Sequence, residues 1–126
     1  MHKPALFSLA AVLALAGCYH IAQLQARFAA TNAPSLYAER CSTCHGPNGR
    51  GDGLGGEGLE PKPRDFADRD WQRSISDARI AETIHAGGAA LGLSARMPAQ
   101  PDLDRAQLEV LVRYIRSVGA VGVAAR

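Results

Sequence analysis

Aromatic residues are scarce in this 126-residue chain: three Phe, three Tyr and one Trp make up 6%. A domain of this size buries only about 60–70% of its unfolded surface. With so few rings, a group other than a side chain is a ready way to complete the core. Charge is nearly balanced at +2, which gives no reason to expect nucleic acid as a partner. Cysteines number three, an odd count that no simple disulfide framework accommodates. No apolar run reaches the about 20 residues that a membrane-spanning helix needs. The remainder is ordinary, with 47% hydrophobic and 21% charged residues. That is the balance of one folded domain, not of a disordered, collagen-like or coiled-coil chain.

The N-terminus reads as an export segment. Met1-His2-Lys3-Pro4 is a short basic start, and residues 5–17 are apolar apart from Ser8. That is the length of a secretory h-region. It ends in Leu15-Ala16-Gly17-Cys18. A hydrophobic residue, two small residues and a cysteine resemble the bacterial lipobox. The resemblance implies cleavage before Cys18, a diacylglycerol on its thiol, and an exported product held at the periplasmic face of a bacterial membrane. An uncleaved anchor helix and a soluble periplasmic product are the alternatives. The expected organisation is a signal peptide over residues 1–17, a lipidated tether over 18–34, a folded domain over 35–119 and a tail over 120–126. Ile21, Leu24 and Phe28 in the tether have helical spacing. In a chain that starts at Cys18, Met97 is the single methionine.

The chemistry sits at Cys41-Ser42-Thr43-Cys44-His45, the C-x-x-C-H attachment pattern of a c-type haem. Positions i and i+3 share one helix face, so both thiols can reach the two vinyl groups, and His45 is aimed at the iron from the same side. Leu36 to Arg40 is good helix sequence leading into the pattern, and Gly46-Pro47 is a helix stop. A redox dithiol is the first alternative, but such pairs accompany βαβ patterns and none is visible. Half of a zinc site is the second, but no second C-x-x-C is present. The cysteine count then closes, with two for haem and one for lipid.

Seven of the thirteen residues from Gly46 to Gly58 are glycine. No Gly-Lys-Ser/Thr follows, which argues against a phosphate loop. Glycine here lets the chain turn and pass close to a flat macrocycle. Pro61 and Pro63 then stiffen an extended loop. Phe66 and Trp71 are expected to wall the haem, because a lone Trp is a large apolar surface in a small domain. Arg64 or the Trp71 indole N–H is expected to meet a haem propionate. Ser76 caps a helix carrying Ile80, Thr83 and Ile84, which Gly87-Gly88 ends. His85, near its end, is a surface histidine or a rival iron ligand. Met97-Pro98 lies between helices, outside any periodic apolar stretch. A core methionine belongs within such a stretch, so Met97 is the expected second axial ligand. A last helix over residues 104–118 opens on an Asp104-x-x-Gln107 box and carries a Leu108, Leu111, Val112, Ile115 stripe, with Gly119 as its stop.

These marks in this order resemble a class I, mono-haem cytochrome c of the bacterial kind, over about residues 35–118. The resemblance implies a small all-α fold of three to five helices around one covalent haem c, with the first and last helices crossed. It also implies a proline carbonyl on the His45 ring nitrogen, from Pro61 first and Pro63 second. The implied function is electron transfer between redox protein partners, with His45 and Met97 filling the iron's axial positions and no catalytic residue. A subunit of a membrane dehydrogenase or reductase, and a haem sensor or peroxidase from which Met97 departs, are the alternatives. Arg40, Arg50, Arg64, Arg69, Arg73 and Arg96 either ring the haem edge for an acidic partner or form a solvated surface.

Overall fold

The computed structural model describes residues 15–21, 23 and 32–121, and every regular element among them is helical. The all-α expectation therefore holds. Residues 1–14 of the expected signal peptide, 22 and 24–31 of the tether and 122–126 of the tail lie outside the described residues. Residues 15–21 and 23 are helical, with Cys18 exposed. No helix among the described residues is long and apolar enough to cross a membrane.

The folded domain begins with α1 (Ala33–Arg40). Asn32 caps it, its side chain accepting the Ser35 N–H, and Pro34 sits in the first turn, where a missing N–H costs nothing. The sequence predicts one helix running on through His45. The structure instead breaks at Cys41 (φ −123°, ψ −35°) and restarts as α2 (Ser42–His45). The Cys41 N–H still bonds the Tyr37 carbonyl, while its own carbonyl accepts from the N–H groups of Cys44 and His45. The chain thus redirects by one residue without orphaning backbone groups. A 3-10 turn (Leu54–Gly56) follows.

Next comes α3 (Arg69–Ser74), which the sequence does not predict. Asp68 starts it, accepting from the Asp70 and Trp71 N–H groups. Then α4 (Asp77–Ala90) opens on the expected Ser76 cap, whose Oγ accepts the Arg79 N–H. It kinks at Gly87 (φ 79°, ψ 165°), a conformation that a Cβ would strain.

The last helix, α5 (Arg105–Val121), opens on the expected reciprocal cap. The Asp104 N–H donates to Gln107 Oε1 at 2.9 Å, and the Gln107 N–H to Asp104 Oδ1 at 2.8 Å. Leu111, Val112 and Ile115 are buried in one cluster with Leu36 and Tyr37 of α1, Ile80 and Ile84 of α4, Phe66 and Leu103. Helices α1, α3 and α4 all pack on α5. Gly119 does not stop this helix, which continues to Val121. A Cβ at Gly119 would stand 2.8 Å from Gln72 Cγ and Cδ, so the glycine there makes room for a side chain of α3.

Candidate haem site

Cys41 and Cys44 are half-buried free thiols that flank the first turn of α2, and His45 ends it. Burial pushes the Cys41 thiol up to about 11, against a smaller opposing effect of Arg40. It therefore stays a protonated thiol at neutral pH. The His45 Nδ1 lies 3.1 Å from the Arg64 carbonyl oxygen. A carbonyl can only accept, so Nδ1 carries the proton and Nε2 is left with its lone pair. Burial holds the imidazole below the usual histidine range, partly offset by the Arg64 bond, which keeps it neutral as a metal ligand must be. The acceptor that the family resemblance implies is the Pro61 carbonyl, or else that of Pro63. Pro61 is exposed, and the chain brings its next-but-one neighbour's successor, Arg64, to the ring instead. The proline pair is the stiff approach to that carbonyl, not its source.

Phe66 is buried and stacks on the His45 ring, with centroids 4.6 Å apart and planes 18° from parallel. It thus backs the imidazole as well as belonging to the core. Its other faces meet Tyr37 edge-on at 6.4 Å and Trp71 at 5.6 Å. Tyr37 is a residue the sequence reading missed. Its hydroxyl donates to the Gly46 carbonyl at 2.7 Å, tying α1 to the end of α2, and burial raises its pKa. An aromatic just before C-x-x-C-H was the available signal.

The glycine loop closes on α2 itself. A Cβ at Gly53 would sit 2.4 Å from the Thr43 carbonyl oxygen and one at Gly56 2.8 Å from that of Cys44. The close approach that glycine permits here is to helix backbone.

Met97 is half-buried against the core cluster. Its N–H bonds the Ser94 carbonyl and its carbonyl accepts the Gly88 N–H, so the kinked end of α4 holds it. Further along, Gln100 N–H reaches the carbonyls of Ile84 and His85. Arg40, next to Cys41, donates to Gln100 Oε1 at 3.0 Å and pairs with Asp102 at 2.9 Å. The Met97 loop is thereby tied to the residue that precedes the first thiol. His85 is exposed and lines a groove between α4 and α5 with Asp77, Leu103, Leu108 and Glu109. None of the residues lining that groove belongs to α2 or to the glycine loop.

Trp71 is half-buried, with the Arg64 guanidinium 5.8 Å from its ring centroid. Arg64 also pairs with Asp68 at 3.7 Å. Arg40 and Arg73 are likewise engaged by acids of this chain, Asp102 and Glu39 for the first and Asp70 for the second.

These residues fit a covalent haem. Two free thiols stand three residues apart, and an imidazole follows with Nδ1 occupied by the Arg64 carbonyl and Nε2 available. A soft thioether is held on a loop tied to the same helix pair.

A family model for cytochrome c matches residues 30–119. No curated protein shows a significant match to the chain. Among solved structures, the KustC0563 c-type cytochrome is similar, at 34% identity and a TM-score of 0.53. The likeness covers 68% of this chain and 95% of that one.

Proposed function

The chain belongs to the cytochrome c family, and on that premise we propose that it is a single-haem electron carrier tethered to the periplasmic face of a bacterial membrane. When bound, the haem supplies one-electron Fe(III)/Fe(II) chemistry. The protein's part is to hold, orient and shield. Cys41 and Cys44 would hold the group through their thiols. His45 offers Nε2 to the iron while Arg64 fixes the tautomer and Phe66 the ring. Met97 would hold the iron from its loop, and a thioether ligand would favour the ferrous state. With His45 and Met97 both committed to holding the iron, the bound group would keep no position for a substrate. The observation that carries this reading is the setting of His45: its Nδ1 lies 3.1 Å from the Arg64 carbonyl, directly after two free cysteines three residues apart.

The test is carbon monoxide. The reduced holoprotein is expected to keep its spectrum unchanged under the gas. A shifted Soret band in the wild type would overturn the carrier reading and favour a sensor or peroxidase.

The tether rests on Leu15-Ala16-Gly17-Cys18, with Cys18 exposed. Cys18→Ser is expected to abolish lipid labelling and to leave an unprocessed, longer precursor on a gel. A single acyl chain anchors weakly, whereas two or more hold firmly, so the wild type should resist salt extraction from membranes. A wild-type protein found soluble with an unmodified Cys18 would sink the tether.

A further inference from the structure

Helix α3 carries a polar side chain with no role in the site as described above. Gln72 Nε2 donates to the Phe66 carbonyl at 2.7 Å and to the Ile115 carbonyl at 3.0 Å. Gln72 Oε1 accepts from Arg116 Nη1 at 2.7 Å. The same Nη1 donates to the Gln72 carbonyl at 2.7 Å, Nη2 donates to the Ile75 carbonyl at 2.7 Å and Nε to Asp77 Oδ1 at 2.7 Å. The amide can face only one way. Its nitrogen meets two carbonyls and its oxygen meets a guanidinium, which has no acceptor. Gly119 leaves the space in which it lies.

The far end of this network is His45. Phe66, whose carbonyl Gln72 holds, stacks on the imidazole, and its N–H bonds the Gly49 carbonyl at 2.7 Å. Two residues earlier, the Arg64 carbonyl accepts the hydrogen bond from the Nδ1–H. One three-residue segment therefore supplies both the hydrogen bond and the ring face that orient the imidazole. Gln72 fastens that segment to α5.

We propose that Gln72, oriented by Arg116, is a positioning residue for His45, locking residues 64–66 so that the Arg64 carbonyl and the Phe66 ring set the imidazole's hydrogen bond and plane. The proposal rests on His45 being an axial ligand. A metal-bound histidine is tuned by the partner of its other ring nitrogen, so slack in this segment alters the electron donation that the iron receives.

Gln72→Glu separates positioning from packing. It keeps the shape beside Gly119 and the acceptor for Arg116, but removes both donated bonds and turns an oxygen toward two carbonyls. In the holoprotein with ¹⁵N-labelled histidine, exchange of the His45 Nδ1 proton with D₂O is expected to speed up by about fivefold or more, the equilibrium worth of one net hydrogen bond. The midpoint potential is expected to change, the weaker Nδ1 hydrogen bond raising it by making the imidazole a poorer donor and the added carboxylate charge lowering it. Arg116→Lys, which keeps the charge near Asp77 but loses the fork, should show the faster exchange to a smaller degree and reads the rise in potential alone. It serves as the measurement if Gln72→Glu does not accumulate. A lowered melting temperature with unchanged exchange and unchanged potential, in whichever of the two variants accumulates, would reduce Gln72 to a packing residue and overturn the proposal. Wild-type His45 ring nitrogens without iron-shifted resonances would overturn the ligand assignment and the proposal together. That outcome is recognised in the parent protein, before any variant is made.

Discussion

Leu111→Ala is expected to destabilise the fold by about 2–5 kcal/mol, the range for truncating a fully buried leucine. Leu111 is 0% exposed and, with Tyr37, has the most completely buried large side chain among the described residues. It lies in the cluster where α1 and α4 meet α5, so the cavity would open between three helices, and closing it means moving all of them. Domains of this size hold only about 5–15 kcal/mol in total. At roughly 4–8 °C per kcal/mol for 60–100 residues, the melting temperature should fall by about 10 °C or more. Thermal unfolding followed by far-ultraviolet circular dichroism measures it. The haem should remain attached, since Cys41 and Cys44 are untouched. A shift of only a degree or two would mean that the side-chain cluster is not what holds the helices together.

That cluster was legible in advance because α5 is long and periodic. Leu111, Val112 and Ile115 fall on one face by spacing alone, and the Asp104–Gln107 cap marks where the helix begins. The C-x-x-C-H pattern was legible for a different reason: its chemistry demands fixed residue types at fixed spacing. What the sequence hides is of two kinds. The His45 partner is a main-chain carbonyl, and a carbonyl leaves no mark in residue identity. Arg64 was therefore read for its guanidinium, which sits over Trp71, while its backbone touches the histidine. The second kind is distance along the chain. Gln72 and Arg116 are 44 residues apart, and no local pattern announces that they meet. Helix α3 has six residues, too few for a periodic stripe, though Asp68 before Arg69-Asp70-Trp71 was a cap signal that could have been read.

Gly119 shows how a correct local rule gives a wrong outcome. Glycine after a periodic stripe usually ends a helix, and isolated glycine inside one costs about 1 kcal/mol relative to alanine. Here α5 runs through it to Val121, and a Cβ at this position would strike Gln72. The glycine is a packing contact with α3, and only the tertiary structure shows what it faces.

Met97→Ala is expected to leave the haem covalently attached and to open the iron to an added ligand. Cys41, Cys44 and His45 are unchanged, and the Arg40 ties to Gln100 and Asp102 keep the loop in place. The side chain removed is half-buried, so the fold should survive a truncation that leaves its backbone bonds to Ser94 and Gly88 intact. Carbon monoxide, inert toward the reduced wild type, should bind the reduced variant. The midpoint potential should fall by about 100 mV or more, a fraction of the roughly 0.8 V over which axial ligands act, because the thioether's preference for ferrous iron is lost. Met97→His should close the iron again at a lower potential than the wild type. The rival ligand is His85, which is exposed and lines the α4–α5 groove. If His85 were the ligand, Met97→Ala would leave carbon monoxide excluded and the potential nearly unchanged. The weak near-red sulfur-to-iron band of the ferric wild type separates the two without a variant. Its presence at neutral pH, and its loss in Met97→Ala, are the expected results, and its absence from the wild type would end the Met97 assignment.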